Sequence, residues 1–418
     1  MVNLPVLNKR FHTPLAAILL LTACGGKDSV DLGNNDPSDG WISVKPDASA
    51  NVVASAPQAQ TLYDGGDFVH SIAVDDNVLV AAIESNATLC NPGDLRVQVC
   101  QLSDCQGTIQ TLGSTSGYGV CASDYHFSSP ASPLLISYGE VIWPSHGAWA
   151  PWGIRACSVT GCADGGRQIA PLQSNYVFAL AADTEYVYWV TTAESKSPDV
   201  CALAVARCLR TGCQTPEILN LPDVIASVGC GSSSAVHLAL SEPSGTLFAA
   251  TQNGIAWLPR DYSKVPEVFY QGATKIDGLA VTSDSVYFAD SSLVGRILRC
   301  SVSGCGSGPD VVAKAPRWPS DLVVDSQQAY WVRDMSANIK YSWAGCIGGG
   351  GDENCGISAR EPSGIVGAPL SGAQSASTVL DDISLYASCP LAINANHLYW
   401  CEQREKGSYA MKIRMIAR

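Results

Sequence analysis

Cysteine is the residue whose number and spacing could most plainly do chemistry in this chain. There are 17 of them. Cys100/Cys105, Cys157/Cys162, Cys208/Cys213 and Cys300/Cys305 share the spacing Cys-x4-Cys, and Cys346/Cys355 reads as the same element with its loop enlarged by Gly348 to Gly351. Such pairs can do one of two things. Residues facing across a hairpin sit about 4.5–5.5 Å apart at Cα, within disulfide reach. Alternatively, several pairs converge, often with His, on a tetrahedral zinc ion. Gly161, Gly212 and Gly304 each precede a second Cys, which suits a turn position of positive φ. His is scarce, six in all, and the pairs are spread along the chain. Disulfides are therefore expected, and no metal site.

Other reactive constellations are weak. Gly348 to Gly351 is not a phosphate loop, because no Gly-Lys-Ser/Thr follows. Ser145-His146-Gly147 sits in no triad pattern, and no Gly-x-Ser-x-Gly elbow occurs. His70, His146 and His237 lack the spacing of a metal-dependent lyase. Asp75-Asp76-Asn77 resembles part of a Ca²⁺ loop but falls between two apolar runs and reads as a turn. No cofactor is expected. The net charge of −13 argues against nucleic acid and against charge-driven binding to anionic headgroups.

The elements that carry these residues repeat. A short apolar strand, a tight polar turn and a strand ending in aromatics recur: Gly278-Leu279-Ala280-Val281-Thr282-Ser283-Asp284-Ser285-Val286-Tyr287-Phe288, Asp321-Leu322-Val323-Val324-Asp325-Ser326-Gln327-Gln328-Ala329-Tyr330-Trp331, Ala179-Leu180-Ala181-Ala182-Asp183-Thr184-Glu185-Tyr186-Val187-Tyr188-Trp189 and Leu391-Ala392-Ile393-Asn394-Ala395-Asn396-His397-Leu398-Tyr399-Trp400. Weaker copies at 71–80, 133–143 and 236–248 make seven. A third strand carries the Cys-x4-Cys element and a fourth apolar strand follows, as in Val311-Val312-Ala313. Units of four short strands, A to D, recurring every about 40 to 70 residues are the signature of a propeller. The expectation is all-β: a seven-bladed β-propeller with disulfide-stapled blade hairpins. The last unit stops after a C-like strand, 411–416, while a spare strand, 59–63, precedes the first. That segment is expected to supply strand D of the last blade and so cover an exposed edge.

Six further cysteines fall in connections. Cys90, Cys201 and Cys401 lie in, or at the start of, B–C connections, and Cys121, Cys230 and Cys389 in D–A connections. Both connection types leave a propeller on one face. The pairing 90–121, 201–230 and 389–401 is therefore expected, one of the 15 that six cysteines allow. The Tyr-Trp pairs of strand B are expected to pack between blades rather than line a ligand site.

The N-terminus has Lys9 and Arg10, an apolar run at 15–21, and Leu21-Thr22-Ala23-Cys24. The run is too short to span a bilayer, which takes about 20 apolar residues. It reads as a secretory signal over 1–23. Leu-x-small-Cys resembles the lipobox of bacterial lipoproteins. The resemblance implies cleavage before Cys24, acylation of Cys24, and, with Gly25 rather than Asp next, the outer membrane. Residues 24–58, rich in Gly, Asn, Asp and Ser, have too little apolar surface to fold. They read as a tether of about 30–35 Å, leaving 59–418 as the propeller.

The chain resembles exported propellers of the NHL and streptogramin-lyase-like group and, more closely, bacterial lipoproteins whose blades carry a strand B ending in Tyr-Trp and an Arg-x-Cys or Arg-Cys strand C. One fold hosts many tasks, so this implies architecture more than activity. Trp149, Trp152 and Trp318 lie in loops expected on the face where the B–C and D–A connections emerge, beside His146, Asp290, Arg333, Asp334, Glu402 and Arg404. These are the candidate contacts for a protein or glycan partner. A monomeric, non-catalytic binding or scaffolding lipoprotein of the cell envelope is expected. A metal-dependent hydrolase or lyase in the central funnel is the alternative.

Overall fold

A computed structural model describes residues 58–418 apart from 66, 86–93, 117–132, 146–152, 163–164, 173–176, 194–199, 230–235, 273–274, 292–294, 316–318, 334–362, 372–375, 384–389 and 404–410. The chain forms seven four-stranded antiparallel sheets arranged as a seven-bladed β-propeller. Blade 1 comprises Phe68–Val74, Val78–Ser85, Asp94–Gln101 and Gln110–Ser116, and blade 2 Leu135–Ser137, Glu140–Ser145, Gly153–Ser158 and Arg167–Pro171. Blade 3 comprises Val177–Ala182, Tyr186–Thr192, Leu203–Leu209 and Glu217–Asn220, and blade 4 His237–Ser241, Thr246–Thr251, Gly254–Pro259 and Glu267–Tyr270. Blade 5 comprises Ile276–Val281, Ser285–Asp290, Arg296–Ser301 and Asp310–Lys314, and blade 6 Pro319–Val324, Gln328–Arg333, Ser363–Pro369 and Ser377–Ile383. Blade 7 takes Ala392–Ile393, His397–Gln403 and Met411–Ala417 from the end of the chain and Gln60–Tyr63 from its beginning. Strand A of every blade packs against strand A of the next, including blade 7 against blade 1, so the ring closes.

Blades 1, 3, 6 and 7 begin with the same local device. In four A–B turns a carboxylate or amide oxygen accepts the backbone N–H groups two and three residues on. Asp75 does so from Asn77 and Val78, Asp183 from Glu185 and Tyr186, Asp325 from Gln327 and Gln328, and Asn394 from Asn396 and His397. Asp and Asn favour such turns because a short acceptor side chain mimics the backbone. Asp75-Asp76-Asn77 is thus a turn.

The core is not one mass but seven layers, each between two blades. Strand B has a side-chain period of two, so its alternate residues serve the two layers. Trp189, Trp331 and Trp400 face the preceding blade, while Tyr188, Tyr330 and Tyr399 face the following one. Burial on both faces explains why these strands read as unbroken apolar runs, and it makes the Tyr-Trp pairs packing residues.

Four of the Cys-x4-Cys pairs form cystines, Cys100–Cys105, Cys157–Cys162, Cys208–Cys213 and Cys300–Cys305, with Cα–Cα separations of 4.7, 5.6, 5.7 and 4.7 Å. One detail differs from the expectation of residues facing each other across two strands. The first Cys is the next-to-last residue of strand C, but the second lies in the C–D turn, before strand D begins. The turn so closed is seated on strand D of the preceding blade. The Cys213 N–H donates to Ile169 O at 2.9 Å, and Cys162 Sγ lies 3.2 Å from Leu112 O. Cys100 and Cys105 pack in one layer with Leu62 and Tyr63 of the closing strand.

Blade 4 has Leu258 where these blades have their first Cys. Tyr262, at φ 57°, fills its C–D turn, and its hydroxyl donates to Val205 O at 3.2 Å. The Arg207 guanidinium lies between the Tyr262 and Tyr186 rings, 4.2 and 4.5 Å from their centroids. A cation between two π faces takes over the contact that a cystine makes elsewhere.

Of the remaining cysteines, Cys201 and Cys401 are disulfide-bonded. Cys90, Cys121, Cys230, Cys346, Cys355 and Cys389 lie outside the described residues. Cys401 is inside strand B and fully buried, not in a connection. Val200–Cys201 pairs with Val228–Gly229 in a small ribbon that ties the B–C connection of blade 3 to its D–A connection. A single helical turn, Asp223–Ala226, follows blade 3. No helix among the described residues is long and apolar enough to cross a membrane.

Candidate functional site

The two faces of the ring differ. On the lower face, A–B turns are tight, such as 75–77 and 183–185. On the upper face, where strand A begins and strand B ends, connections reach the length of 334–362 between strands B and C of blade 6. His146, Trp149, Trp152, Trp318, Asp334 and Arg404 lie outside the described residues.

Asp290, Arg333 and Glu402 stand at the upper ends of strand B in blades 5, 6 and 7. Asp290 is fully buried and accepts from Arg296 Nε at 3.0 Å and Nη2 at 2.5 Å, its partner across strands B and C. Glu402 pairs with Arg414 Nη1 at 3.2 Å. These two carboxylates are engaged by arginines of their own blades and close B–C hairpins. Arg333 is partly buried opposite Gly364 and Pro319.

The lower face holds a richer polar network. Glu140 accepts from Arg167 Nη2 at 2.7 Å and Arg210 Nη2 at 2.6 Å. Burial pushes its carboxyl up, but the two guanidinium groups outweigh this and hold it below the usual carboxylate range. Arg210 also donates to Ser137 O and Asp183 O, and Tyr138 donates to Glu242 at 2.5 Å. The Tyr188 hydroxyl donates to Asp183 Oδ2 at 2.9 Å. With hydrogen bonds running from blade 2 through blade 3 to blade 4, the cluster is read as a structural tie.

The heads of the A strands differ again. The A–B register slips between Val69 and Ser71, Val177 and Ala179, Ile276 and Leu279, and Ser320 and Val323. The irregularity therefore recurs at one level of the channel, in blades 1, 3, 5 and 6. Bulges re-aim side chains and cluster near functional sites. The residues so displaced include His70, Phe178, Asp277 and Asp321. His70 Nε2 lies 2.7 Å from Glu84 Oε2. Asp277 Oδ2 pairs with Lys275 Nζ at 2.9 Å.

In the neighbouring blade, His237 heads strand A, and its ring hydrogen-bonds the Asp277 backbone. Burial holds the imidazole below its ordinary pKa against the opposing pull of the Asp277 charge. His237 Nε2 and Asp277 Oδ1 are both shielded from solvent and have no hydrogen-bond partner. Among the described residues, no three His, Cys, Asp or Glu side chains converge as a metal cluster.

Gly278 lets this corner form. A Cβ there would lie 2.8 Å from Leu322 Cβ and 2.9 Å from Leu322 N, on strand A of blade 6. Gly278→Ala is expected to cost about 1–3 kcal/mol through overpacking, read as a lower urea midpoint. An unchanged midpoint would show that the two strands are free to part. Asp277-Gly278 was the available sequence signal, since Gly inside a strand marks a bulge or a close approach.

These features define the class: an all-β, seven-bladed propeller with C–D turns closed by cystines in blades 1, 2, 3 and 5. No family model and no curated protein matches the chain. Among solved structures it is similar to the computationally designed Ika8 protein, at 10% identity and TM-score 0.44 over 84% of this chain and 98% of that one. It is also similar to a structural genomics protein of unknown function from Bacteroides thetaiotaomicron, at 13% identity and TM-score 0.43 over 86% and 75%. The uncomplexed acylaminoacyl peptidase of Pyrococcus horikoshii gives 6% identity and TM-score 0.50 over 82% of this chain and 50% of that one. At such identities none of these likenesses bears on function.

Proposed function

We propose that this chain is a non-catalytic, monomeric lipoprotein of the bacterial cell envelope, anchored through acylated Cys24. Its propeller, akin to the NHL and streptogramin-lyase-like group, binds or scaffolds a protein or glycan partner through upper-face loops. The lipobox-like Leu21-Thr22-Ala23-Cys24 and its basic, apolar leader support the anchor. The observation that carries the binding reading is the asymmetry of the faces. The A–B turns below are tight, whereas the B–C connections above run from 252–253 in blade 4 to 334–362 in blade 6, and loops on a rigid scaffold commonly carry recognition.

One experiment with two arms tests this. Cells expressing the chain are labelled with palmitate and fractionated. Wild type is expected in the membrane fraction with label, and Cys24→Ser unlabelled in the soluble fraction. In the second arm, residues 334–362 are replaced by a short Gly-Ser turn. Thermal unfolding is expected to stay cooperative while binding to immobilised envelope glycans and proteins falls. Label on Cys24→Ser would sink the anchor. Undiminished binding by the loop-replaced chain would sink the recognition role of its largest loop.

A further inference from the structure

Strand D is the edge strand of every blade, and its first two residues are exposed in all seven. In blades 1, 2, 6 and 7 they are Gln110-Thr111, Arg167-Gln168, Ser377-Thr378 and Gln60-Thr61. In blades 3, 4 and 5 they are Glu217-Ile218, Glu267-Val268 and Asp310-Val311. The register puts all seven pairs at one level, opposite the two residues that precede the strand C Cys or its counterpart. Three adjacent blades thus carry an acid and a β-branched aliphatic where the other four carry polar residues that are never acidic. Ile218, Val268 and Val311 are 43, 42 and 38% exposed. Leu209 and Val265, on blades 3 and 4, and Val224, in the connection joining those blades, are exposed as well. These are six of the eight large hydrophobic residues exposed among the described residues. Scattered singly they would need no explanation, but gathered on one side they mark an interaction surface.

The acids face outward. Glu217 Oε2 accepts from Arg207 Nη2 at 2.7 Å, and Asp310 Oδ2 from Arg299 Nη2 at 3.0 Å. The carboxylates are the outer members of these pairs, at 61 and 73% exposure against 8 and 36% for the arginines. Glu267 stands opposite Trp257, with no arginine across from it. Two copies meeting through the same arc would set carboxylate against carboxylate, and anionic headgroups would be repelled likewise. Positive charge beside apolar side chains is what fits. Sheets packed face to face stand about 10 Å apart, and two turns of α-helix rise about 10.8 Å. A helix laid across the D strands therefore offers an apolar and a basic position to each blade in turn. We infer that the rim of blades 3 to 5 is a second interaction surface, which docks a basic amphipathic helix of a partner protein across Glu217-Ile218, Glu267-Val268 and Asp310-Val311. It does not rest on recognition by the upper-face loops.

The full chain is titrated, by fluorescence anisotropy, with a labelled amphipathic peptide of about three heptads, Leu on one face and Lys flanking it, and with its Glu-flanked counterpart. Wild type is expected to bind the Lys peptide and not the Glu peptide. A variant with Ile218→Thr, Val268→Thr and Val311→Thr keeps every charge, and its affinity should fall at least about tenfold. All three positions are exposed, so its thermal unfolding should match wild type. Glu267→Gln should weaken binding several-fold and reduce its salt dependence. A photoreactive residue in place of Val268 should capture the peptide, and one in place of Thr378 should not. The chain with 334–362 replaced should bind the peptide as wild type does, which separates this surface from the upper face. Equal affinity for wild type and the triple variant would overturn the inference, leaving only attraction to the net charge of −13. No binding of the Lys peptide, or capture of a second copy from position 268 in preference to the peptide, would overturn it as well.

Discussion

A chain lacking residues 1–64 should lose about 3–6 kcal/mol of stability, while one lacking only residues 1–57 should unfold as the intact protein does. The difference lies in one strand. Gln60–Tyr63 is strand D of blade 7, paired antiparallel with Met411–Ala417. Its Leu62 and Tyr63 are buried in the layer between blades 7 and 1. Each large apolar side chain contributes about 1.5–3 kcal/mol by burial, and Ala59 O also accepts from Arg414 at 3.1 Å. Removal would further bare the edge of Met411–Ala417 and the cystine Cys100–Cys105, which packs in that layer. An exposed strand edge templates association. The shorter chain should therefore also self-associate on heating. The check is a pair of urea titrations with light scattering. Coincident midpoints would mean that the ring does not depend on its terminal clasp.

The second large effect is expected from the cystines. Each closes a loop of sequence separation 5, and loop-closure entropy for so short a span is about 2 kcal/mol. The four sit on blades 1, 2, 3 and 5, where effects should add. Loss of these four together should then cost about 8 kcal/mol, comparable with the whole stability of many domains. Cys208→Ser with Cys213→Ser alone should cost about 2 kcal/mol. The contact with Ile169 sharpens the expectation: the layer between blades 2 and 3 should loosen first, seen as faster amide exchange in Arg167–Pro171 than in Glu267–Tyr270. Equal stability with and without reductant would make the cystines ornamental.

What could be read in the sequence, and what could not, follows from how each feature is encoded. Trp189, Trp331 and Trp400 gave their blades away because strand B is apolar on both faces. Blade 4 was faint because Ala249 stands where blades 2, 3, 6 and 7 have Trp and Leu258 where blades 1, 2, 3 and 5 have Cys. The ribbon of Val200–Cys201 and Val228–Gly229 is two residues wide on each side, too short for any periodic pattern. Asp290 and Glu402 were expected beside the funnel. Their arginine partners, Arg296 and Arg414, emerge only when the B–C register is known, since cross-strand charge pairs depend on it. His237 and Asp277 come from different blades, and nothing in their sequence separation marks them as neighbours.

Because Trp points back to one neighbour and Tyr forward to the other in blades 3, 6 and 7, these sheets have a leading and a trailing surface. The joint between sheets is therefore head-to-tail, as in cyclic assemblies whose subunits meet through unlike patches. A joint of that kind has a direction of travel. Blade 6 laid in backwards would set Trp331 against Trp400 and Tyr330 against Tyr287, with indole bulk doubled at one seam and lost from the other. The aromatic pair thus does more than fill space: it fixes the circulation of the chain around its axis.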